Sequence, residues 1–177
     1  AGAKFAFEKG KWFNHMYLQN TDNLTLAQLF RPVLNTNGVD TSILSDEYIA
    51  SIINLVKGRI NFVNDLWDQT RFFFMAPTEY APKDIKKRWS TETPRIMEEL
   101  IVLLQSTTDF SSASAEPVVI NWITDHGYHM GNVMNAFRLA IVGECKGPHM
   151  FDITELLGKD ETISRLRAAI GRITPAE

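Results

Sequence analysis

The chain has 177 residues, enough for one large domain or two small ones. Its 45% hydrophobic and 22% charged residues exclude a disordered or fibrous chain, and it contains no apolar run of about 18 residues that could cross a membrane. A single cysteine, Cys145, excludes an internal disulfide, and a net charge of −3 excludes a uniformly basic nucleic-acid binder but not a local basic patch.

Apolar spacing is helical nearly everywhere. Trp12, Phe13, Met16 and Tyr17 share one helix face. Thr25 followed by Gln28 reads as a capping box that opens the next helix. Leu26, Leu29, Phe30 and Val33 form its stripe, and Pro32 within that stripe predicts a kink or a stop. Ser45, followed by Asp46 and Glu47, starts a third helix carrying Tyr48, Ile49, Ile52, Ile53 and Val56. Gly58 breaks it and leaves Arg59 at a joint, after which Ile60, Val63 and Trp67 resume the pattern. The run Phe72-Phe73-Phe74-Met75 has strand composition but no partner strand.

The turn-rich stretch 76–82 predicts a boundary between two helical subdomains, 1–75 and 76–177. Pro82 and Pro94 suit first helical positions. Residues 105–114 read as a loop. Val118, Val119, Trp122 and Ile123 read as a helix, with Pro117 near its start and Gly127 at its end. Met130, Val133, Met134, Phe137 and Ile141 make a further stripe, closed by Gly143. A linker, 144–149, leads to Phe151, Ile153, Leu156 and Leu157, closed by Gly158. Asp160 and Glu161 open the last helix, packed by Ile163, Leu166 and Ile170. Its Arg165, Arg167 and Arg172 lie toward the C-terminal end, where the dipole favours cations. The fold class is all-α, with eight to ten short helices.

Catalytic signatures are missing. There is no glycine-rich phosphate loop, no Gly-x-Ser-x-Gly elbow and no His-Glu-x-x-His. His126 and His129, or Cys145 and His149, have spacings that metal sites use. Gly127 and Gly147 interrupt both pairs, and no third ligand has a diagnostic spacing, so no metal site is expected. Cys145 reads as an inert small side chain.

Charge carries more information. Residues 54–95 hold eight Lys/Arg against five Asp/Glu, whereas residues 96–130 hold none against five. Lys57 and Arg59 flank the Gly58 joint, and Lys83, Lys86, Lys87 and Arg88 cluster in one short helix. A solvated helix face accounts for Lys86 and Lys87 equally well. Arg59 and Arg138 each interrupt an apolar region near a chain reversal. There a planar guanidinium can offer a fork of donors to the edge of an unstacked RNA base.

Several blocks, in order, carry a resemblance. They are Lys11-Trp12-Phe13-Asn14-His15 with Tyr17-Leu18, Ala76-Pro77-Thr78-Glu79-Tyr80, and Met130-Gly131-Asn132-Val133-Met134-Asn135 with Phe137-Arg138-Leu139-Ala140-Ile141-Val142-Gly143. The last continues through Gly147-Pro148, Phe151-Asp152-Ile153 and Leu156-Leu157-Gly158-Lys159-Asp160-Glu161-Thr162. Together they resemble the C-terminal half of bacterial-type glutamyl-tRNA synthetase, a class I aminoacyl-tRNA synthetase, over essentially the whole chain. Ala1-Gly2-Ala3-Lys4-Phe5 looks like the residues after that family's Lys-Met-Ser-Lys-Ser loop.

The resemblance implies a fragment without the catalytic domain: a stem-contact helical domain over 1–75 and a helix-cage anticodon-binding domain over 76–177. It implies a monomer in the cytoplasm whose partner is glutamate tRNA, with no membrane. It also implies a parent enzyme that uses ATP and magnesium to join glutamate to that tRNA, while the fragment itself holds no cofactor and is catalytically silent. By the same resemblance Arg59 reads the third anticodon base, Arg138 faces the other two, and Gly147, Pro148 and Met150 line their pocket. Lys57, Lys86, Lys87 and Arg88 are candidates for the RNA backbone. Ala136 and Phe137 stand where the family commonly has Pro and Leu. On the residues alone, a helical protein-interaction module would come first, and a small metal enzyme built around His126 and His129 would be a further alternative.

Overall fold

A computed structural model describes residues 2–175, apart from the side chains of Phe5, Phe7, Glu8, Trp12 and Phe13. Ten α-helices and two 3₁₀ turns, with no strand, make up the described residues. The chain divides into two compact units, Ala1–Phe74 and Met75–Glu177.

The first unit holds α1 (Gly2–Asn20), α2 (Asn23–Thr36), α3 (Asp46–Val56) and α4 (Asp65–Phe74). Of the stripe expected on α1, Trp12 and Phe13 lie outside the described residues. Met16 and Tyr17 are exposed, and the buried residue of that turn is Leu18. The cap of α2 differs from the expectation. Asp22, not Thr25, is the N-cap: its carboxylate accepts from the Thr25 amide at 2.9 Å and from the Thr25 hydroxyl at 2.6 Å. The two bonds hold its carboxyl below the usual aspartate range.

Pro32 does not stop α2, which runs on to Thr36. Pro32 and Gln28 are both exposed, so water satisfies the carbonyl that proline leaves unpaired. Leu26, Ala27, Phe30 and Leu34 are the face that α2 buries, whereas Leu29 is exposed. They pack on Ile49, Ile53 and Val56 of α3. Ser45 caps α3 as expected, accepting from the Tyr48 amide at 3.1 Å. Arg31 ties the two helices further, donating to Asp46 Oδ1 and to the Thr41 and Leu44 carbonyls, each at 2.7 Å. The Phe72–Phe74 run is the end of α4, where Phe72 and Phe73 are buried and Phe74 meets Phe30 edge-on.

The second unit holds α5 (Pro82–Arg88), α6 (Thr93–Ser106), α7 (Ser112–Asp125), α8 (Met130–Val142), α9 (Met150–Leu157) and α10 (Lys159–Arg172). α8 and α10 are its centre: α10 packs on α6, α8 and α9, and α8 also meets α5 and α7. α7 begins before the expected loop ends and places Pro117 inside the helix, not near its start. Pro117 and Ala113, whose carbonyl it leaves unpaired, are exposed, so the helix tolerates it. Phe137 is fully buried and meets Phe151 edge-on at 6.3 Å, so α8 and α9 share one core.

Gly143 ends α8 in the left-handed conformation, with φ 92°. Its carbonyl accepts from the Ala81 amide at 2.8 Å. A Cβ there would lie 3.0 Å from both the Glu79 carbonyl oxygen and Pro77 Cβ. The left-handed backbone alone costs a side chain about 1–2 kcal/mol, and the crowding adds to that. Gly143→Ala should therefore lower the unfolding midpoint in urea; an unchanged midpoint would show that the 77–81 segment yields freely.

Of Arg165, Arg167 and Arg172, expected to complement the helix dipole, only Arg172 falls in the last turn; Arg165 lies mid-helix and is 3% exposed. It donates to the Ile141 carbonyl and to Glu161 Oε1, both at 2.9 Å. The sequence pattern did not distinguish it from Arg167, which is exposed.

Candidate functional site

The joint at Gly58 is a 3₁₀ turn, Lys57–Arg59, and Arg59 ends it as an exposed side chain. The turn is fixed to α1 on both flanks of Arg59. Gln19 Nε2 donates to the Lys57 carbonyl at 2.7 Å, and His15 Nδ1–H donates to the Ile60 carbonyl at 2.8 Å. A carbonyl can only accept, so the proton must sit on Nδ1. Lys57 does not behave as a free phosphate ligand: its ammonium donates to the Thr21 carbonyl and closes the same joint. On the other side, Asp65 Oδ2, at the start of α4, accepts from the Asn61 and Phe62 amides and holds the segment that follows the joint. The side chain of Arg59 is thus exposed while its backbone is anchored before and after. Sequence reading found Arg59 but not His15 and Gln19. Their spacing of four residues on one helix face was the available signal.

In the second unit the structure brings Arg138 and the 144–149 linker together. Arg138, half-buried on α8, donates from Nη1 to the Pro148 carbonyl at 2.7 Å. Asp84 of α5 accepts the Cys145 amide at 2.8 Å, and Glu116 of α7 meets His149 Nε2 at 2.8 Å. Three helices therefore hold one short loop. Gly147 has φ 131°, which a side chain would strain. Pro148 and Met150 are buried, so Met150 supports the loop from beneath and offers no open side chain. Asp84 and Glu116 are the residues that sequence reading missed here; each stands among ordinary helix-surface charges.

The remaining candidates have structural roles. His129 caps α8, accepting from the Asn132 amide at 3.2 Å, and His126 stacks on Tyr128. Cys145 donates its thiol to the Asn135 carbonyl. Burial, then the nearby Asp84 carboxylate, push that thiol up to about 11, so it stays protonated and unreactive at neutral pH. No group of three His, Cys, Asp or Glu among the described residues is placed to hold a metal ion. Lys86 and Lys87 are exposed on α5, and Arg88 donates to Asn132 Oδ1 at 3.1 Å.

Residues 25–170 match the family described as anticodon binding domain. The chain belongs to that family. Among curated relatives, a glutamate–tRNA ligase of Porphyromonas gingivalis is 55% identical over 170 residues, covering 96% of this chain and 33% of its own length. The glutamate–tRNA ligase of Flavobacterium psychrophilum is 47% identical over 173 residues, covering 98% of this chain and 34% of its own. A crystal structure of a glutamate tRNA ligase from Elizabethkingia meningosepticum, in complex with its amino acid, superposes with TM-score 0.86 at 41% identity. It covers 94% of this chain and 32% of that one. The chain thus spans about a third of the length of these relatives. The all-α anticodon-binding fold is shared with them, and no helix among the described residues is long and apolar enough to cross a membrane.

Proposed function

We propose that this anticodon-binding chain is the tRNA-recognition part of a glutamate–tRNA ligase. The observation that carries the reading is the match of the anticodon-binding family across 25–170, joined to 55% identity with a glutamate–tRNA ligase over 96% of the chain. The parent enzyme joins glutamate to its tRNA with ATP and magnesium. The first unit acts as the stem-contact domain at its start and, from residue 25, as part of the anticodon-binding region that carries Arg59; the second acts as the helix cage around the anticodon. The chain works as a monomer in the cytoplasm, on the glutamate isoacceptor.

Arg59 supplies the reading of the third anticodon base. Its five donors form a rigid fork that can bond two acceptors of one base edge, and the anchored turn limits where the fork can reach. Arg138 plays a double part. One donor holds the Pro148 carbonyl and so fixes the linker, and the same side chain faces the other two bases. Lys86 and Lys87 supply charge to the backbone without reading sequence.

Binding to glutamate tRNA should be weak and salt-sensitive, because the chain is net acidic and only a few cations can displace counterions. A titration at low and moderate salt should give a shallow falling slope on a log–log plot. Salt-independent binding, or none at low salt, would overturn the assignment.

A further inference from the structure

A cavity of about 660 Å³ opens in the second unit between the end of α5, the start of α6 and the start of α8. Neither Arg138 nor the 144–149 linker lines it. Its volume falls within the range of small-molecule sites, about 300–1,000 Å³. One side is cationic: Lys86 and Lys87 are exposed there, and Asn132 holds the Arg88 guanidinium in place. Glu92, the one carboxylate on the wall, lies 4.0 Å from Arg95 Nη2, so part of its charge is already matched.

Trp89, Met97, Val133 and Ala136 also line the cavity, and each is almost wholly buried, so only the edges of these apolar side chains reach it. Trp89 is only 1% exposed, and its indole Nε1–H has no hydrogen-bond acceptor. Buried donors are nearly always paired, so this one marks a place where an acceptor is wanting. α6 starts at the same cavity, but its Thr93 amide already donates to the Ser90 carbonyl and Pro94 has no amide, so the attraction for an anion comes from the cationic side chains. A ligand for this site needs an anionic group at one end and a flat apolar body with hydrogen-bond acceptors at the other.

We propose that the cavity binds a nucleotide, with its phosphate against Lys86, Lys87 and Arg88 and its base against the edges of Trp89 and Met97. The cavity is then a site separate from Arg59 and from the Arg138 linker. Its nucleotide has two sources, a free mononucleotide or a nucleotide of the bound RNA, and only the second rests on the function proposed above.

The test is a titration of the whole chain with adenosine and uridine 5′-monophosphates, the matching nucleosides, and inorganic phosphate. Binding is followed by tryptophan fluorescence and by the NMR shift of the Met97 methyl. A mononucleotide should shift Met97 and bind about tenfold or more tightly than either the nucleoside or inorganic phosphate. The double variant Lys86→Ala/Lys87→Ala, with both changes on exposed side chains, should weaken it by about tenfold at an unchanged melting temperature. No shift at Met97 at millimolar nucleotide, equal binding of inorganic phosphate, or unchanged affinity in the double variant each overturns the proposal.

A parallel titration with an anticodon stem-loop RNA separates the sources. If the stem-loop shifts the Met97 methyl and is displaced by mononucleotide, an RNA nucleotide fills the cavity; if the RNA binds without moving Met97 and both ligands bind together, a free nucleotide does. Either result supports a nucleotide site. If the RNA fails to bind while mononucleotides do, the tRNA assignment falls and the cavity stands.

Discussion

Arg59→Gln, placed in the full-length ligase, should relax discrimination at the third anticodon base by roughly tenfold to a hundredfold. That is the worth of one good bidentate contact, about 1–3 kcal/mol by analogy with base readout in DNA. Glutamine is shorter and uncharged, and it replaces one of two parallel donors with an acceptor, so the fork is lost. The fold should be unaffected, because Arg59 is exposed and the joint is closed by Gln19, His15 and Lys57. Charging kinetics with glutamate tRNA, and with a version altered only at the third anticodon base, read the effect. An unchanged ratio would remove Arg59 from recognition. Lys87→Ala is the control: it should weaken both tRNAs alike, since a phosphate contact carries no base identity.

Arg165→Met should clearly destabilise the second unit. Methionine nearly fills the space but cannot donate, so the Ile141 carbonyl at the end of α8 loses its buried partner. An unpaired buried polar group costs about 1–3 kcal/mol, which lowers the melting temperature of a chain this size by several degrees, about 2–4 °C per kcal/mol. Glu161→Gln should cost far less, because Glu161 is 45% exposed and water replaces what it loses. Equal effects of the two variants would mean that the ion pair within α10, not the bond to the Ile141 carbonyl, accounts for what Arg165 contributes.

The helical stripes were legible because burial imposes a period. Ile49, Ile52, Ile53 and Val56 are spaced as a one-sided helix, and α3 buries all four. The misreadings came where local signals have two solutions. Asp22 and Thr25 both suit a cap, and only the backbone shows which accepts the amide. Pro32 and Pro117 break a helix only where the freed carbonyl is shut away from water, and sequence does not show that.

The candidate site was legible at Arg59 and Arg138, because an arginine inside an apolar stretch is conspicuous. Its supports were not. Asp84 reaches a residue sixty-one positions away, and His15 reaches one forty-five away. Nothing in a local window couples such pairs. Arg165 and Arg167 are alike in sequence, and only packing separates the buried one from the exposed one.

The most direct measurement is the affinity of this 177-residue chain for glutamate tRNA and for the same tRNA with its anticodon replaced, at low and then moderate salt. The anticodon-recognition account predicts tighter binding of the native anticodon, with a preference that survives added salt while total affinity falls, because base contacts persist as phosphate attraction is screened. Equal affinity for both tRNAs at every salt concentration would contradict it.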